Sequence, residues 1–191
     1  AVDEHVVLDV APRDGIFDWR ALREFPFLSW RIRNATRWEG TDADLRLSVA
    51  SLSVSGDSAV LSKGMICRRL FLDACDSVDF NGLRAGETRS LYFNAKAFDP
   101  AELVRFPHLE DVAIASRDPI SCKVFSTLKG LFQIRIDGCR VEDCATLGEL
   151  PLLYSAHFTN CDIGEDELDA LGRVAKRVVR TAGDGVLAYF R

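Results

Sequence analysis

The sequence predicts an α/β solenoid in which repeats of about 22 residues stack on one another. Three observations support this fold class. An apolar-x-apolar step recurs at nearly constant spacing, a second apolar column precedes each step, and helix signals recur between the steps. We expect a parallel β-sheet on a concave face, short helices or loops on a convex face, and about eight to nine repeats in a single domain spanning residues 1–191.

The recurring step defines one position, the first apolar residue of each apolar-x-apolar triplet, which we call the anchor. The anchors are Leu8, Trp30, Leu52, Leu70, Leu91, Val112, Ile134, Ala156 and Val178. Their spacing is nearly constant and is shortest between Leu52 and Leu70, and the residue two after each anchor is also apolar, except at Arg180. Because side chains alternate along a strand, each anchor and its partner should point inward and the residue between them outward.

The second apolar column lies three positions before each anchor, and only His5 and Thr88 interrupt it. A column at a fixed offset indicates that every repeat turns the same side chains inward. It therefore strengthens the repeat frame, most of all between positions 70 and 158.

The segments that return from one strand to the next carry helix signals at residues 18–24, 100–104, 122–127, 142–148 and 165–174. Asp99 followed by Pro100 is a favourable start for a helix, because Asp caps free N–H groups and Pro fits the first turn. Residues 56–64 and 81–86 lack such signals, and we expect loops or single turns there.

The repeats resemble the leucine-rich-repeat family, whose strand segment reads L-x-x-L-x-L-x-x-(N/C)-x-L. The resemblance is closest at residues 131–141 and 153–163, and it departs at Lys96 and Arg117, where Asn or Cys is expected. The resemblance implies a binding scaffold without chemistry of its own.

All six cysteines fall at positions that the frame turns inward, so we expect buried structural thiols. Cys75, Cys139 and Cys161 lie five positions after an anchor, and Cys122 and Cys144 should be stacked neighbours. Their spacing matches no zinc motif, and we expect neither a metal nor a cofactor. Six cysteines in 191 residues are too few for a disulfide scaffold, which favours a reducing, cytoplasmic location.

The charge balance disfavours two classes of partner. The formal net charge is −5, so the chain has no general attraction for nucleic acid or for an anionic membrane surface. No apolar run approaches the roughly 18 residues that a membrane span requires. The expected partner is therefore another protein, which the sequence does not identify.

The outward positions of the strands form the candidate partner-binding face. Phe71 and Tyr92 should lie side by side there with polar residues around them, a composition typical of binding hot spots. The candidate residues are Arg69, Phe71, Asp73, Tyr92, Asn94, Arg135, Asp137 and His157. The arginines at 31, 33, 135 and 177 are too widely separated to form one basic stripe.

Two other functions remain open at this point. His157, Arg135 and Asp137 would form a small polar centre if the chain were an enzyme, although no nucleophile–base pair can be named. The chain would instead be a structural subunit if it associates through its N-terminal strand, predicted at residues 6–10, which lacks an evident cap. Arg180 and the glycines at 183 and 185 suggest that the C-terminal end is closing.

Overall fold

The computed structural model describes residues 7–24, 29–42, 48–95, 99–174, 177–182 and 185–190. Contacts divide the chain into two compact units, Ala1–Phe98 and Asp99–Arg191. The single domain expected from the sequence stays a prediction. Some of the residues used in the sequence analysis lie outside the described residues, among them His5, Val6, Lys96 and Gly183.

The described part of the first unit forms a parallel sheet with shorter strands in its return segments. Its strands are β1 (Val7–Val10), β2 (Ile16–Asp18), β3 (Ser29–Arg33), β4 (Arg37–Glu39), β5 (Ser48–Ser55), β6 (Ser58–Val60), β7 (Ile66–Cys75), β8 (Ser77–Asp79) and β9 (Ser90–Ala95). The main sheet has the order β1-β3-β5-β7-β9, while β2 pairs with β4 and β6 pairs with β8.

The register of this sheet confirms the anchors. Leu8 lies opposite Trp30, Trp30 opposite Leu52, Leu52 opposite Leu70, and Leu70 opposite Leu91. The alignment holds even across the shortest interval, the one between Leu52 and Leu70. A shift of one position would turn every apolar side chain outward, so burial fixes the register even where the return segment changes length.

The second unit repeats the same arrangement with more regular spacing. Its strands are β10 (Asp111–Ala115), β11 (Ile120–Ser121), β12 (Gln133–Asp137), β13 (Arg140–Glu142), β14 (Ser155–Thr159), β15 (Asp162–Ile163), β16 (Arg177–Ala182) and β17 (Gly185–Phe190). The anchors from Val112 to Val178 lie opposite one another in the parallel sheet β10-β12-β14-β16, and β11-β13-β15 form a small sheet in the return segments. The last strand, β17, pairs antiparallel with β16.

The anchors form the core of each unit. Every anchor except Leu8 is at most 3% exposed, whereas Leu8 is 37% exposed on the terminal strand. The polar exception in the second column, Thr88, is also fully buried. Among the described residues, the anchor column is thus buried as the sequence predicts, with Leu8 on β1 as its exception.

The return segments are helical where the sequence predicts helices, but four of the five are 3-10 helices. The 3-10 helices span Trp19–Glu24, Ala85–Glu87, Pro100–Arg105, Cys122–Phe125 and Cys144–Glu149, and the described α-helix is α1 (Glu165–Val174). The tighter form follows from length, because such short connections complete at most two turns. Asp99 caps its helix as predicted and accepts a hydrogen bond from the Ala101 N–H at 2.8 Å.

A left-handed residue lies four positions after the anchor in four of the described repeats. Asn34, Ala74, Gly138 and Asn160 all have φ between 52° and 80° there. The backbone N–H of Asn160 donates to the Thr181 carbonyl at 2.7 Å, which ties this turn to the next repeat. The turn directs the chain out of the sheet and brings the residue after it, such as Cys75 or Cys161, inward.

Candidate functional site

Phe71 and Tyr92 stack on the outward face of the first unit's sheet. They lie opposite each other on β7 and β9, with ring centroids 4.5 Å apart and ring planes 4° apart. Both side chains are half-buried. The repeat explains the pairing, because equivalent positions of adjacent repeats fall opposite each other when the anchors are in register.

Polar side chains flank this aromatic pair along both strands. Arg69 precedes Phe71 on the outward face and is exposed. Asp73 and Asn94 follow the pair, and the Asn94 Nδ2 amide donates to Asp73 Oδ1 at 2.8 Å. The arrangement presents a cation, two stacked rings and an acceptor-rich carboxylate in sequence along the strands.

The remaining predicted site residues form a separate group in the second unit. Arg135 and His157 lie opposite each other on β12 and β14, and Asp137 follows Arg135 on the outward face. The Arg135 Nη2 donates to Gln133 Oε1 at 3.0 Å, and Asp137 Oδ1 accepts from Asn160 Nδ2 at 3.4 Å. The eight predicted residues thus belong to two groups, one in each unit.

The second unit carries another aromatic pair, which strand alternation does not predict. Phe132 and Tyr154 have ring centroids 5.1 Å apart and planes 2° apart. They are 49% and 43% exposed, and the neighbouring Leu152 is 59% exposed. Both aromatic residues lie two positions before an anchor, just ahead of the strand, where the alternation of a strand does not apply. The sequence signal that identifies them is a second exposed column, two positions before the anchor.

An unusual strand, β5, lies beside Phe71 in the first unit. Its outward residues Ser51, Ser53 and Ser55 are all serines, and they face Arg69, Phe71 and Asp73 of β7 in register. On the other side, Ser53 and Ser55 lie opposite Arg31 and Arg33 of β3. The two arginines are far from Arg135 and Arg177 in the sequence, but the register places them across β5 from Phe71 and Asp73.

A cavity of about 400 Å³ opens where β5 begins. It is lined by Ser48, Val49, Ala50, Ile66, Arg68, Glu87 and Arg89. Arg68 and Arg89 occupy equivalent positions of adjacent repeats, two positions before an anchor, and the Arg89 N–H donates to the Arg68 carbonyl at 2.9 Å. This end of the strands therefore carries a concentration of guanidinium groups.

The six cysteines are free and buried, as the sequence predicts. Burial raises the pKa of the Cys67 thiol to about 12 and that of Cys75 to about 11. Cys122 and Cys144 are stacked with their sulfur atoms 4.0 Å apart, and the hydrogen bond to Cys144, followed by burial, raises the pKa of Cys122. Thiols with raised pKa values are poor nucleophiles and poor metal ligands at neutral pH.

Two other kinds of site are not found in the described part of the chain. No group of three or more His, Cys, Asp and Glu residues within it is placed to hold a metal ion. Within the same residues, no helix is long and apolar enough to cross a membrane.

Comparison with known proteins gives a match in structure rather than in sequence. No protein-family model matches the chain, and no curated protein matches it. The solved structure of internalin C2 from Listeria monocytogenes matches with a TM-score of 0.53 and 16% sequence identity, covering 86% of this chain and 74% of that one. Internalin C2 is a leucine-rich-repeat protein. The fold is leucine-rich-repeat-like. The match, the parallel sheets and the short helical returns agree on this fold class.

Proposed function

We propose that this chain is a non-catalytic protein-interaction scaffold that binds a partner protein on the outward face of its parallel sheet. The observation that carries the proposal is the stacked pair Phe71 and Tyr92, with rings 4.5 Å apart on adjacent strands. The leucine-rich-repeat-like fold supports it, because such a sheet presents a regular row of side chains to a partner.

The chemistry of the pair is suited to protein recognition. Two rigid, half-buried rings offer apolar contact area and lose little side-chain entropy when a partner covers them. Arg69 on one side and the Asp73–Asn94 pair on the other give the patch a polar rim, the usual surround of a hot spot.

The alternative of an enzyme centred on His157, Arg135 and Asp137 has less support. The Arg135 guanidinium and the Asp137 carboxylate already bond to Gln133 and Asn160. The buried thiols, with their raised pKa values, do not supply a nucleophile at neutral pH. Free thiols also suit a reducing compartment, and we propose the cytoplasm as the location.

The test is photo-crosslinking in the cells that make the protein, followed by identification of the crosslinked partner. A photoreactive residue in place of Tyr92 should capture one specific protein. The same residue in place of Val104, which is 68% exposed on a 3-10 helix, should not capture it. Equal capture from both positions would contradict the proposed surface.

A binding measurement with the captured partner completes the test. The double variant Phe71→Ala with Tyr92→Ala should bind about tenfold more weakly or worse, because truncated hot-spot side chains each cost roughly 1–2 kcal/mol or more. The matched control is Phe132→Ala with Tyr154→Ala, which removes the other exposed stack. Unchanged binding by the first variant, with loss in the second, would move the site to the second unit.

A second candidate function is that of a subunit joined through β1. Val7 and Leu8 are 48% and 37% exposed, and β1 pairs with β3 on one side. Among the described residues no strand pairs with its other edge. Sedimentation over a range of concentrations tests this, and the variant Val7→Lys should abolish any self-association, because a charged edge strand resists pairing.

A further inference from the structure

The outward face of β5 forms the floor of a trough, which we call the serine trough. Its floor is Ser51, Ser53 and Ser55, whose side chains are short. Larger side chains of the neighbouring strands stand along both sides, Arg31 and Arg33 on β3 and Arg69 and Phe71 on β7. Because adjacent strands lie about 4.8 Å apart, the backbones of β3 and β7, which carry the two walls, are about 10 Å apart.

The walls of the trough are predominantly cationic. The Arg31 and Arg33 side chains are 54% and 51% exposed, and Asp9 on β1 pairs with Arg33 at 2.9 Å and with Arg31 at 3.9 Å. One carboxylate therefore faces two guanidinium groups. Arg69 on the opposite wall is exposed. The trough is positive in a chain whose net charge is −5, so its sign departs from that of the molecule.

The charge is also graded along the trough. At the start of β5, a cavity of about 400 Å³ has Arg68, Arg89 and Glu87 in its lining. At the far end, Asp73 contributes a carboxylate that Asn94 holds at 2.8 Å. In register, Ser51 lies beside Arg69, Ser53 lies between Arg31 and Phe71, and Ser55 lies between Arg33 and Asp73. A ligand along β5 would therefore meet guanidinium groups at each step and a wall carboxylate only at the last.

We propose that the serine trough binds an extended acidic peptide segment of the partner protein, with its carboxylates toward Arg68 and Arg69 and an apolar side chain against Phe71. This proposal rests on the proposed function and specifies its partner. Guanidinium groups bind carboxylates strongly and in two-point geometry. The serine hydroxyls both donate and accept, which suits the alternating N–H and carbonyl groups of an extended backbone.

A peptide fits these features better than a nucleic acid does. A nucleic acid requires many phosphate contacts along an extended basic surface, and the negative charge of the chain as a whole opposes its approach. The trough provides a short cationic region that includes an aromatic ring and ends at a carboxylate. That pattern complements a segment with clustered acidic residues followed by an apolar one.

The first experiment measures fluorescence anisotropy of a labelled synthetic peptide that has three glutamates followed by a leucine and a lysine. The comparison peptide has glutamine in place of each glutamate. We expect the acidic peptide to bind at least about tenfold more tightly and to weaken as salt is added, because carboxylate–guanidinium contacts are screened. Equal affinity for the two peptides would overturn the proposal, as would equally tight binding of a single-stranded oligonucleotide.

Variants locate the binding. Arg68→Gln with Arg69→Gln should weaken the acidic peptide about tenfold or more and flatten its salt dependence. The control is the double variant Arg117→Gln with Arg140→Gln. It removes the same charge from exposed positions in the second unit and should leave the affinity for the acidic peptide unchanged. Ser53→Tyr keeps every charge but fills the floor, so it should also weaken binding. Equal effects from the control and the test variants would show that binding depends on the net charge of the protein and not on the trough, and would overturn the proposal.

Binding of the captured partner to these variants distinguishes the acidic-segment proposal from the scaffold function on which it rests. If Phe71→Ala with Tyr92→Ala loses the partner while the Arg68 and Arg69 variant keeps it, the scaffold function stands and the acidic segment is wrong. If neither variant loses the partner, both proposals fail. Loss in both variants and in Ser53→Tyr supports the two together.

Discussion

The two units differ in how closely they keep the repeat. The anchors of the second unit, Val112 to Val178, are evenly spaced, and its returns pair as the small sheet β11-β13-β15. The first unit has one clearly shortened interval and returns that pair only two by two. Both units nevertheless keep their anchors in register. The inward columns therefore determine the sheet, while the return segments are free to vary, and the outward candidate site lies in the less regular unit.

The largest expected effect is the loss of stability at alkaline pH. Burial raises the pKa of Cys67 and Cys139 to about 12 and that of Cys75 to about 11, and it also raises the pKa of Cys161. An exposed thiol in the unfolded chain titrates near pH 8.5. Above that pH the unfolded chain binds fewer protons than the native protein, so the free energy of unfolding falls as pH rises, until the native thiols ionise.

Urea unfolding at increasing pH, combined with hydrogen exchange, measures this effect for each unit. The fully buried Cys67 alone should contribute about 1.4 kcal/mol per pH unit above the unfolded pKa. Raised thiol pKa values occur in both units, at Cys67 and Cys75 in the first and at Cys122, Cys139 and Cys161 in the second, so we expect both units to lose protection at alkaline pH. Thiolate absorbance that appears near pH 9 without unfolding would contradict the prediction.

The second prediction concerns the aromatic cluster of the first unit. Trp19 is fully buried, stacks on Trp38 at 5.3 Å, and donates from Nε1 to the Val60 carbonyl at 2.9 Å. Trp19→Ala should lower the free energy of unfolding by about 3–5 kcal/mol, because it leaves a large cavity. Trp19→Phe, the control, should lose less. Hydrogen exchange should show the change within the first unit, and equal losses for the two variants would argue against packing as the cause.

The third prediction tests a contact between adjacent repeats of the second unit. The Glu167 carboxylate accepts hydrogen bonds from the Asp143 N–H at 3.0 Å and the Cys144 N–H at 2.6 Å, at the start of a 3-10 helix. Glu167→Gln replaces one charged acceptor with an amide and should cost about 1–2 kcal/mol in chemical denaturation. Glu165→Gln, at an exposed position of the same helix, should change stability little. A comparable loss in both would indicate an effect of helix charge alone.

The smallest expected effect compares the left-handed position in the two units. Ala74 of the first unit has φ of 54°, whereas the second unit has Gly138 with φ of 80° at the equivalent position. Ala74→Gly should stabilise by about 0.5–1 kcal/mol, because the side chain is strained there. Gly138→Ala should destabilise by about 1–2 kcal/mol, since its Cβ would also lie 3.2 Å from the Ser116 carbonyl. Thermal unfolding measures both, and changes of the same sign would show that the turns are not equivalent.

The sequence predicts the sheet well because burial repeats. The anchors, the inward thiols and the Phe71–Tyr92 pairing all follow from a fixed inward column and strand alternation. The form of the returns does not follow, because helix signals in such short segments do not distinguish a 3-10 helix from an α-helix. The left-handed turn four positions after the anchor is equally hidden, since Asn, Ala and Gly all occupy it.

The candidate site is only partly predictable for a different reason. Outward residues show no burial pattern in the sequence. Which of them lie together depends on the register of the strands, which the sequence predicts. The shape of the surface also depends on side-chain size, which must be compared between adjacent strands. Nothing in the sequence alone marks the outward serines of β5, Ser51, Ser53 and Ser55. They become notable only when the register places β5 between the arginines of β3 and the large side chains of β7. Phe132 and Tyr154 precede their strands, where alternation gives no direction.

The return between β5 and β7 is shorter than that of a full repeat, yet Leu52 and Leu70 remain opposite each other. A change of length in this segment therefore leaves the anchors of the sheet, and the outward side chains between them, in register. Protein engineering could lengthen or trim the outer edge of such a unit while keeping the outward face of its sheet, and could change that face by single substitutions on β5, β7 and β9. The fold therefore separates the part of a repeat that tolerates a change in length from the part whose outward side chains can be exchanged one at a time.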